Sequence, residues 1–324
     1  MGQAVRTEGP RGTRPVVRHL RPTDLVALAA FETRDFPNQA RTRDHLDRDH
    51  RRPLTIATVL EQWLAAEDRQ TLVVASGLGI RGLVSVRNRA GRSAWEVDWL
   101  VLDQEGDEER FALALLKGLT EEAVKARVQR IFLRLPVRSD LMAVAPRAGF
   151  VPYCTETLLR GDPSYRQLPS GSSVELRPRK KGDETGIFRL YHTAVPPQVR
   201  SVEGMTLDEW SATRDVPFWQ QREYVWSQED RVRAWLQINR GSGCGQLCLL
   251  LHPEDTGRLD EIVCAATARL RTKQPVQALV PHFQPELLSL LTQVWGFEAG
   301  AEYQLLARQL AVRVPEPRLV PARA

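Results

Sequence analysis

Two periods govern the apolar residues of this chain, and the switches between them lay out its elements. Val16-Val17-Arg18-His19-Leu20-Arg21-Pro22 reads as an opening strand, and a helix follows from about Thr23 to Phe31. Alternating strands come next: Gly82-Leu83-Val84-Ser85-Val86-Arg87, then Trp95 to Leu102, which runs into the acidic turn Asp103-Gln104-Glu105. After that turn Ala112, Leu115, Leu116, Leu119 and Ala123 recur at helical spacing, which predicts a helix with one buried face. A strand at Arg130 to Leu135, a short helix ending in Gly149-Phe150 and a last strand at Thr155 to Arg160 complete the set.

The same order returns roughly 150 residues later, which reads as an internal duplication. Val174-Glu175-Leu176-Arg177-Pro178 opens it, followed by a helical stretch near Glu184 to His192 and the strand Ala234 to Asn239. Gln246 to Leu251 runs into His252-Pro253-Glu254, and Leu259, Ile262, Val263, Ala266 and Leu270 mark the next helix. Val276 to Val280, Gly296-Phe297 and Tyr303 to Arg308 close the series. The Gly-, Pro- and Ser-rich run from Gly161 to Ser173 between the copies reads as a linker. The predicted organisation is a flexible tail over 1–14, a domain over 15–163, a linker over 164–173, a second domain over 174–313 and a tail over 314–324. The predicted class is α/β, a mixed sheet with helices on both faces in each copy.

Composition changes this picture little. The 324 residues are 42% hydrophobic and 26% charged, which suits two globular cores. No apolar run approaches the roughly 18 residues of a membrane span, and Met1 to Arg11 lacks the apolar core of a signal peptide, so a cytoplasmic protein is expected. The net charge of +5 rests mainly on Arg scattered among acids, a solvated surface rather than a nucleic-acid stripe. Even the densest run, Arg41 to Arg52, contains Asp44, Asp47 and Asp49. Cys154, Cys244, Cys248 and Cys264 lack zinc-site spacing, and His45 and His50 with Asp44 and Asp49 read as a solvated loop. No metal is expected.

Strand, acidic turn and helix in the middle of each copy, with Gly-Phe before the last strand, resemble the acyl-CoA-dependent N-acyltransferase (GNAT) family over nearly all of residues 15 to 313. The resemblance implies two tandem GNAT-like domains. It also implies that the strand before the turn splays from its neighbour, and that its exposed backbone binds the pantetheine arm of an acyl-CoA and polarises the thioester carbonyl. Those positions are Leu100, Val101 and Leu102 in the first copy and Leu249, Leu250 and Leu251 in the second.

The turn itself departs from the family pattern, in which a basic, glycine-rich loop wraps the pyrophosphate. The first copy reads Asp107-Glu108-Glu109-Arg110-Phe111-Ala112 and keeps only the small Ala112. The second keeps Gly257 and Arg258 but places Leu259 and Glu261 where glycines are expected. A Tyr that protonates the leaving thiolate in the family is replaced by Ala145 and Thr292. Glu96 and Asp98 are the candidates for the base that deprotonates the amine, since alternation sets both carboxylates on one face of a strand; pairing with arginines is the competing reading. The aromatic stretch Trp210, Phe218, Trp219, Tyr224, Trp226 and Trp235 either walls an acceptor pocket or packs a core.

Two functions therefore compete. One is an N-acyltransferase passing an acetyl or longer acyl group from acyl-CoA to a small amine, without nucleic-acid or membrane partners. The other is a binding or scaffold protein of the same fold that has ceased to bind acyl-CoA.

Overall fold

A computed structural model describes residues 15–32, 36–43, 46, 69–76, 79–103, 107–162, 174–215, 221–240, 244–270 and 275–310. The chain divides into two compact units. The first comprises Met1–Arg87, Val97–Leu119 and Arg134–Gly149, and the second Asn88–Glu96, Thr120–Leu133 and Phe150–Ala324. The predicted tails, most of the linker, Gln104, Glu105, Phe218, Trp219, and His45 and His50 with Asp44 and Asp49 lie outside the described residues.

In the first unit the opening strand is β1 (Val16–His19), followed by a 3-10 turn over Pro22–Asp24 and helix α1 (Leu25–Glu32). β2 (Arg69–Ser76), β3 (Gly79–Asn88) and β4 (Ala94–Leu102) line up beside β1 in the order β1-β2-β3-β4. β1 pairs antiparallel with β2, and β2 with β3. Every residue of β4 is buried, so both faces of this strand are covered. The helical period after the turn becomes α2 (Glu108–Lys125), whose Ala112, Leu115, Leu116 and Leu119 are fully buried as the spacing requires. β5 (Arg130–Pro136), of which Arg130–Leu133 belong to the second unit, and the short α3 (Leu141–Val144) follow. A second small core joins Leu28, Phe31, Val73, Ile80, Leu83, Trp99 and Val101.

The last predicted strand of the first copy is β6 (Val151–Gly161), and it belongs to the second unit. After it come β7 (Arg177–Pro178), α4 (Glu184–Ala194), α5 (Pro197–Glu203), α6 (Leu207–Thr213), β8 (Gln221–Gln228), β9 (Arg231–Arg240) and β10 (Gly245–Leu251). α7 (Leu259–Leu270), β11 (Val276–Pro281), α8 (Pro285–Ser289) and β12 (Glu298–Gln309) complete it. The strands run in the order β12-β6-β11-β10-β9-β8-β7. β6 is antiparallel to β11 on one side and to β12 on the other, so it sits inside this sheet. β7 is shorter than the strand predicted there, because Val174 and Leu176 enter the core instead of a ladder.

Side-chain alternation divides the second unit into two cores. Leu247 and Leu249 pack with Ile262, Val263, Ala266 and Leu270 of α7. Leu250, one position away, packs with Ile187, Leu190, Tyr191 and Trp210 of α4 and α6. The aromatic stretch is divided in the same way. Trp210 and Trp235 meet at 6.0 Å in the α4–α6 core, while Trp226 joins the α7 core with Tyr224 packed against it.

Several devices recur at corresponding places. Arg18 holds Asp24 through both oxygens at 2.5 and 2.7 Å, and Arg177 holds Asp183 at 2.7 and 2.8 Å. Each aspartate also accepts a main-chain N–H three residues upstream, from Arg21 or Lys180, and so closes the turn into the first helix. Gly149 and Gly296 both take left-handed conformations, φ 82° and 68°, which a side chain would strain. The phenylalanines that follow them, Phe150 and Phe297, are buried.

Candidate functional site

The strand positions nominated for the pantetheine arm lie where two parallel pairs come apart. β4 pairs with β5 from Ala94↔Arg130 to Glu96↔Phe132, and β10 with β11 from Gly245↔Val276 to Leu247↔Ala278. Beyond those points each strand pair opens and leaves main-chain groups facing a gap. Such groups need partners when buried.

In the first splay the partners come from the chain itself, from the segment 36–43. Asn38 Nδ2 donates to the Asp98 carbonyl at 2.9 Å, and its Oδ1 accepts the Leu100 N–H at 2.8 Å. Gln39 N–H donates to the Leu100 carbonyl at 2.8 Å, and Arg41 N–H to the Arg134 carbonyl of β5 at 2.9 Å. The Arg41 guanidinium turns back onto the Asn38 carbonyl. Ala40 and Thr42 are wholly buried. The three β4 atoms engaged, Asp98 O, Leu100 N and Leu100 O, share one strand edge, because alternate residues point their N–H and C=O to the same side. Val101 belongs to the core under α1, and Leu102 is fully buried.

The second splay is different. The Gly245 N–H reaches the Pro275 carbonyl on the β11 side, so alternation turns Leu247, Leu249 and Leu251 the same way. Leu250 pairs with Trp235 of β9 instead. Among the described residues none hydrogen-bonds to the main chain of Leu249 or Leu251 on the β11 side.

The two turns after these strands also differ. In the first, Asp107 Oδ1 accepts the Arg110 N–H at 3.2 Å and so caps α2. A cavity of about 440 Å³ opens there, with Glu108, Glu109 and Asp140 among its walls. Burial, then the nearby Asp140, holds the Glu108 carboxyl above its ordinary range. Glu109 is paired with Arg147 at 3.1 Å, so Glu108 and Asp140 are the acids that set this cleft against a phosphate. In the second, a 3-10 turn over Pro253–Arg258 leads into α7, and His252 Nδ1 accepts the Glu254 N–H at 3.3 Å. A side chain added at Gly257 would meet nothing within 4 Å, so open space lies beside that backbone. Leu259, at a position expected to be glycine, sends its side chain into the core. Arg258 is half exposed and pairs with Glu261 at 3.0 Å. Arg233 holds Asp255 at 2.5 Å and Glu254 at 3.0 Å, as Arg81 holds Asp103 at 2.6 Å in the first unit.

The two carboxylates nominated as bases are both buried and both paired. Glu96 faces Arg89 Nη2 at 3.4 Å, and the same guanidinium donates to the Thr213 carbonyl at 2.9 Å and lies 3.8 Å from the Phe132 ring centre. Asp98 is held by Arg69. Each carboxylate is thus already engaged by an arginine of its own neighbourhood. The two positions nominated for a thiolate acid carry no acid: Ala145 is wholly buried, and Thr292 donates to the Leu288 carbonyl of its own helix at 2.9 Å. Ala112 is wholly buried in α2.

The residue at this splay that the sequence did not reveal is Asn38. Its one local signal is the Pro37-Asn38 dipeptide, a turn former that marks a loop but not the loop's destination. Arg69 and Arg89 were equally hidden among many other arginines.

The sequence matches no protein-family model and no curated protein. Solved structures do resemble the fold. A GCN5-related N-acetyltransferase from Sphaerobacter thermophilus aligns over 92% of this chain and 96% of its own, with TM-score 0.56 and 15% identity. A tandem GNAT protein from the clavulanic acid biosynthesis pathway aligns over 91% of this chain and 98% of its own, with TM-score 0.52 and 12% identity. At such identities the likeness is one of fold. This mixed α/β fold is GNAT-like over most of the chain.

Proposed function

We propose that this chain is a tandem GNAT-fold acyltransferase that takes acyl-CoA in the β10–β11 splay and passes the acyl group to a small amine. The observation that carries this reading is the main chain of Leu249 and Leu251, to which none of the described residues hydrogen-bonds on the β11 side. An extended arm of amides can pair with that edge as another strand would, and a free N–H beside the thioester polarises its carbonyl. Gly257 and Arg258, at the start of α7, supply the open backbone and the cation for the pyrophosphate. In the transfer an amine nitrogen forms a bond to the acyl carbon, the C–S bond breaks, CoA leaves as thiolate, and the proton that the nitrogen loses passes through solvent to that thiolate. Glu96 and Asp98 take the amine's proton only if Arg89 or Arg69 is drawn away, so we assign them first to structure. The reading takes the protein as cytoplasmic. Among the described residues no helix is long and apolar enough to cross a membrane.

The scaffold reading is favoured by one observation, the tie between Arg258 and Glu261 beside further acids in the same turn. Calorimetric titration of the full chain with CoA and acetyl-CoA separates the two. A single micromolar site, with slowed amide exchange at Leu249 and Leu251, supports the transferase; no heat at millimolar ligand leaves the scaffold.

A further inference from the structure

The first splay shows the same divergence of strands as the second, yet its edge is closed by a part of the chain more than fifty residues away in sequence. Asn38 closes it with a side-chain amide, which presents one donor and one acceptor to Asp98 O and Leu100 N. Gln39 adds a main-chain N–H on Leu100 O. This alternation of donor and acceptor along a strand edge is the one any extended chain of secondary amides would offer. Pantetheine is such a chain, carrying two amides and no charge. The same three β4 atoms cannot serve both occupants at once.

We infer that the segment Asn38–Arg41 is an internal occupant of the first splay, an autoinhibitory contact that stands in for an acyl-pantetheine arm and keeps that splay closed to ligands. Two banks hold the segment. Asn38 and Gln39 bind β4, and Arg41 binds β5 through its main-chain N–H while its guanidinium fixes the Asn38 carbonyl. Asn38 has the key position, because its one side chain satisfies two strand groups and also accepts the Ala40 N–H at 3.1 Å. This inference goes beyond the proposed transferase site and does not depend on it.

The test is residue-resolved hydrogen exchange on the full chain, with uncharged pantetheine as probe so that Glu108 and Asp140 do not oppose it. In the unmodified chain the Leu100 amide is protected, and millimolar pantetheine leaves it unchanged. In the double variant Asn38→Ala/Gln39→Pro the Leu100 amide exchanges at least tenfold faster, and pantetheine restores its protection. Slow exchange at Leu115 and Leu119 in α2 shows that the first unit remains folded. Should the double variant unfold, Asn38→Ala alone gives the same readout more weakly, since it removes the acceptor of the Leu100 N–H but leaves the Gln39 N–H on the Leu100 carbonyl. A Leu100 amide that stays protected in a folded variant, or one that opens and gains nothing from pantetheine, overturns the inference. Exchange at Leu249 and Leu251 is read in the same samples, so failure of the transferase site is seen separately.

Discussion

The pairs β4–β5 and β10–β11 start alike and end differently. Each runs parallel for three residue pairs and then opens. In the first, Asn38, Gln39 and Arg41 bridge the opening; in the second, no described residue bridges the edge of Leu249 and Leu251 toward β11. The turns follow suit. Glu108, Glu109 and Asp140 surround one, whereas Gly257 and Arg258 leave open backbone and a cation at the other. The lesson is that a splayed strand pair is a demand for hydrogen-bond partners, and either a ligand or a distant loop can meet it. Where the loop meets it, the site becomes core.

Fragments test this contrast most severely. β11, one bank of the open splay, is held along its other edge by β6, from Val276↔Gly161 to Pro281↔Glu156. A fragment of residues 174–313 lacks β6 and should show no cooperative unfolding transition, whereas residues 150–313 should regain one, as followed by circular dichroism in urea. Cooperative folding of 174–313 would show that β11 needs no support from β6.

The next effect is on stability. Asn38→Ala leaves Asp98 O, Leu100 N and Ala40 N without their partner in a buried place, and should cost about 3 kcal/mol in chemical denaturation. A loss under about 0.5 kcal/mol would mean that the first splay is closed by something other than Asn38. Arg258→Glu should weaken CoA binding about tenfold with no loss of stability, since Arg258 is half exposed and among the described residues pairs with Glu261 in the same turn. Arg110→Glu, in the first turn, should change binding by less than about twofold. The reverse result would move the site to the first splay.

A smaller effect should be equal in both places. The Arg18 and Arg177 guanidiniums hydrogen-bond Asp24 and Asp183 and hold both carboxyls below their ordinary range. A lowered folded value adds stability that is present above the unfolded value of about 4 and is lost as pH falls through the lowered one. Asp24→Asn and Asp183→Asn should each cost about 1 kcal/mol at pH 7, and each loss should shrink on acidification below about pH 4. The smallest expected change is none. Replacing Asp107–Arg110 by Arg-Gly-Lys-Gly removes the acids of the first turn but leaves Asn38 in place, so calorimetry should detect no new CoA site. A new site in that graft would show that charge, not the internal segment, had closed the first splay.

Much of the fold was readable residue by residue. The spacing of Ala112, Leu115, Leu116, Leu119 and Ala123 gave α2 and its buried face, and Gly149-Phe150 and Gly296-Phe297 marked helix ends that need a left-handed residue. Glu96 and Asp98 illustrate where reading along the chain stopped. Alternation set them on one face of a strand, but both faces of β4 turned out to be buried, and Arg89 and Arg69 occupy the carboxylates. The choice between a base and an ion pair was open in sequence because nothing local says which of many arginines lies opposite.

What the sequence determined by itself is what depends on neighbours a few residues apart: the periods of strand and helix, and the Gly-Phe pairs that end the short helices before the last strands. What only the tertiary structure decided is which groups meet across distance. β6 lies between β11 and β12, and Asn38 reaches atoms that are 60 and 62 residues away. The physical reason is that a strand edge has no sequence preference of its own. Its N–H and C=O groups are the same at every residue and accept any partner that chain topology brings, so whether a splay becomes a binding groove or part of a core is settled only when the chain is folded.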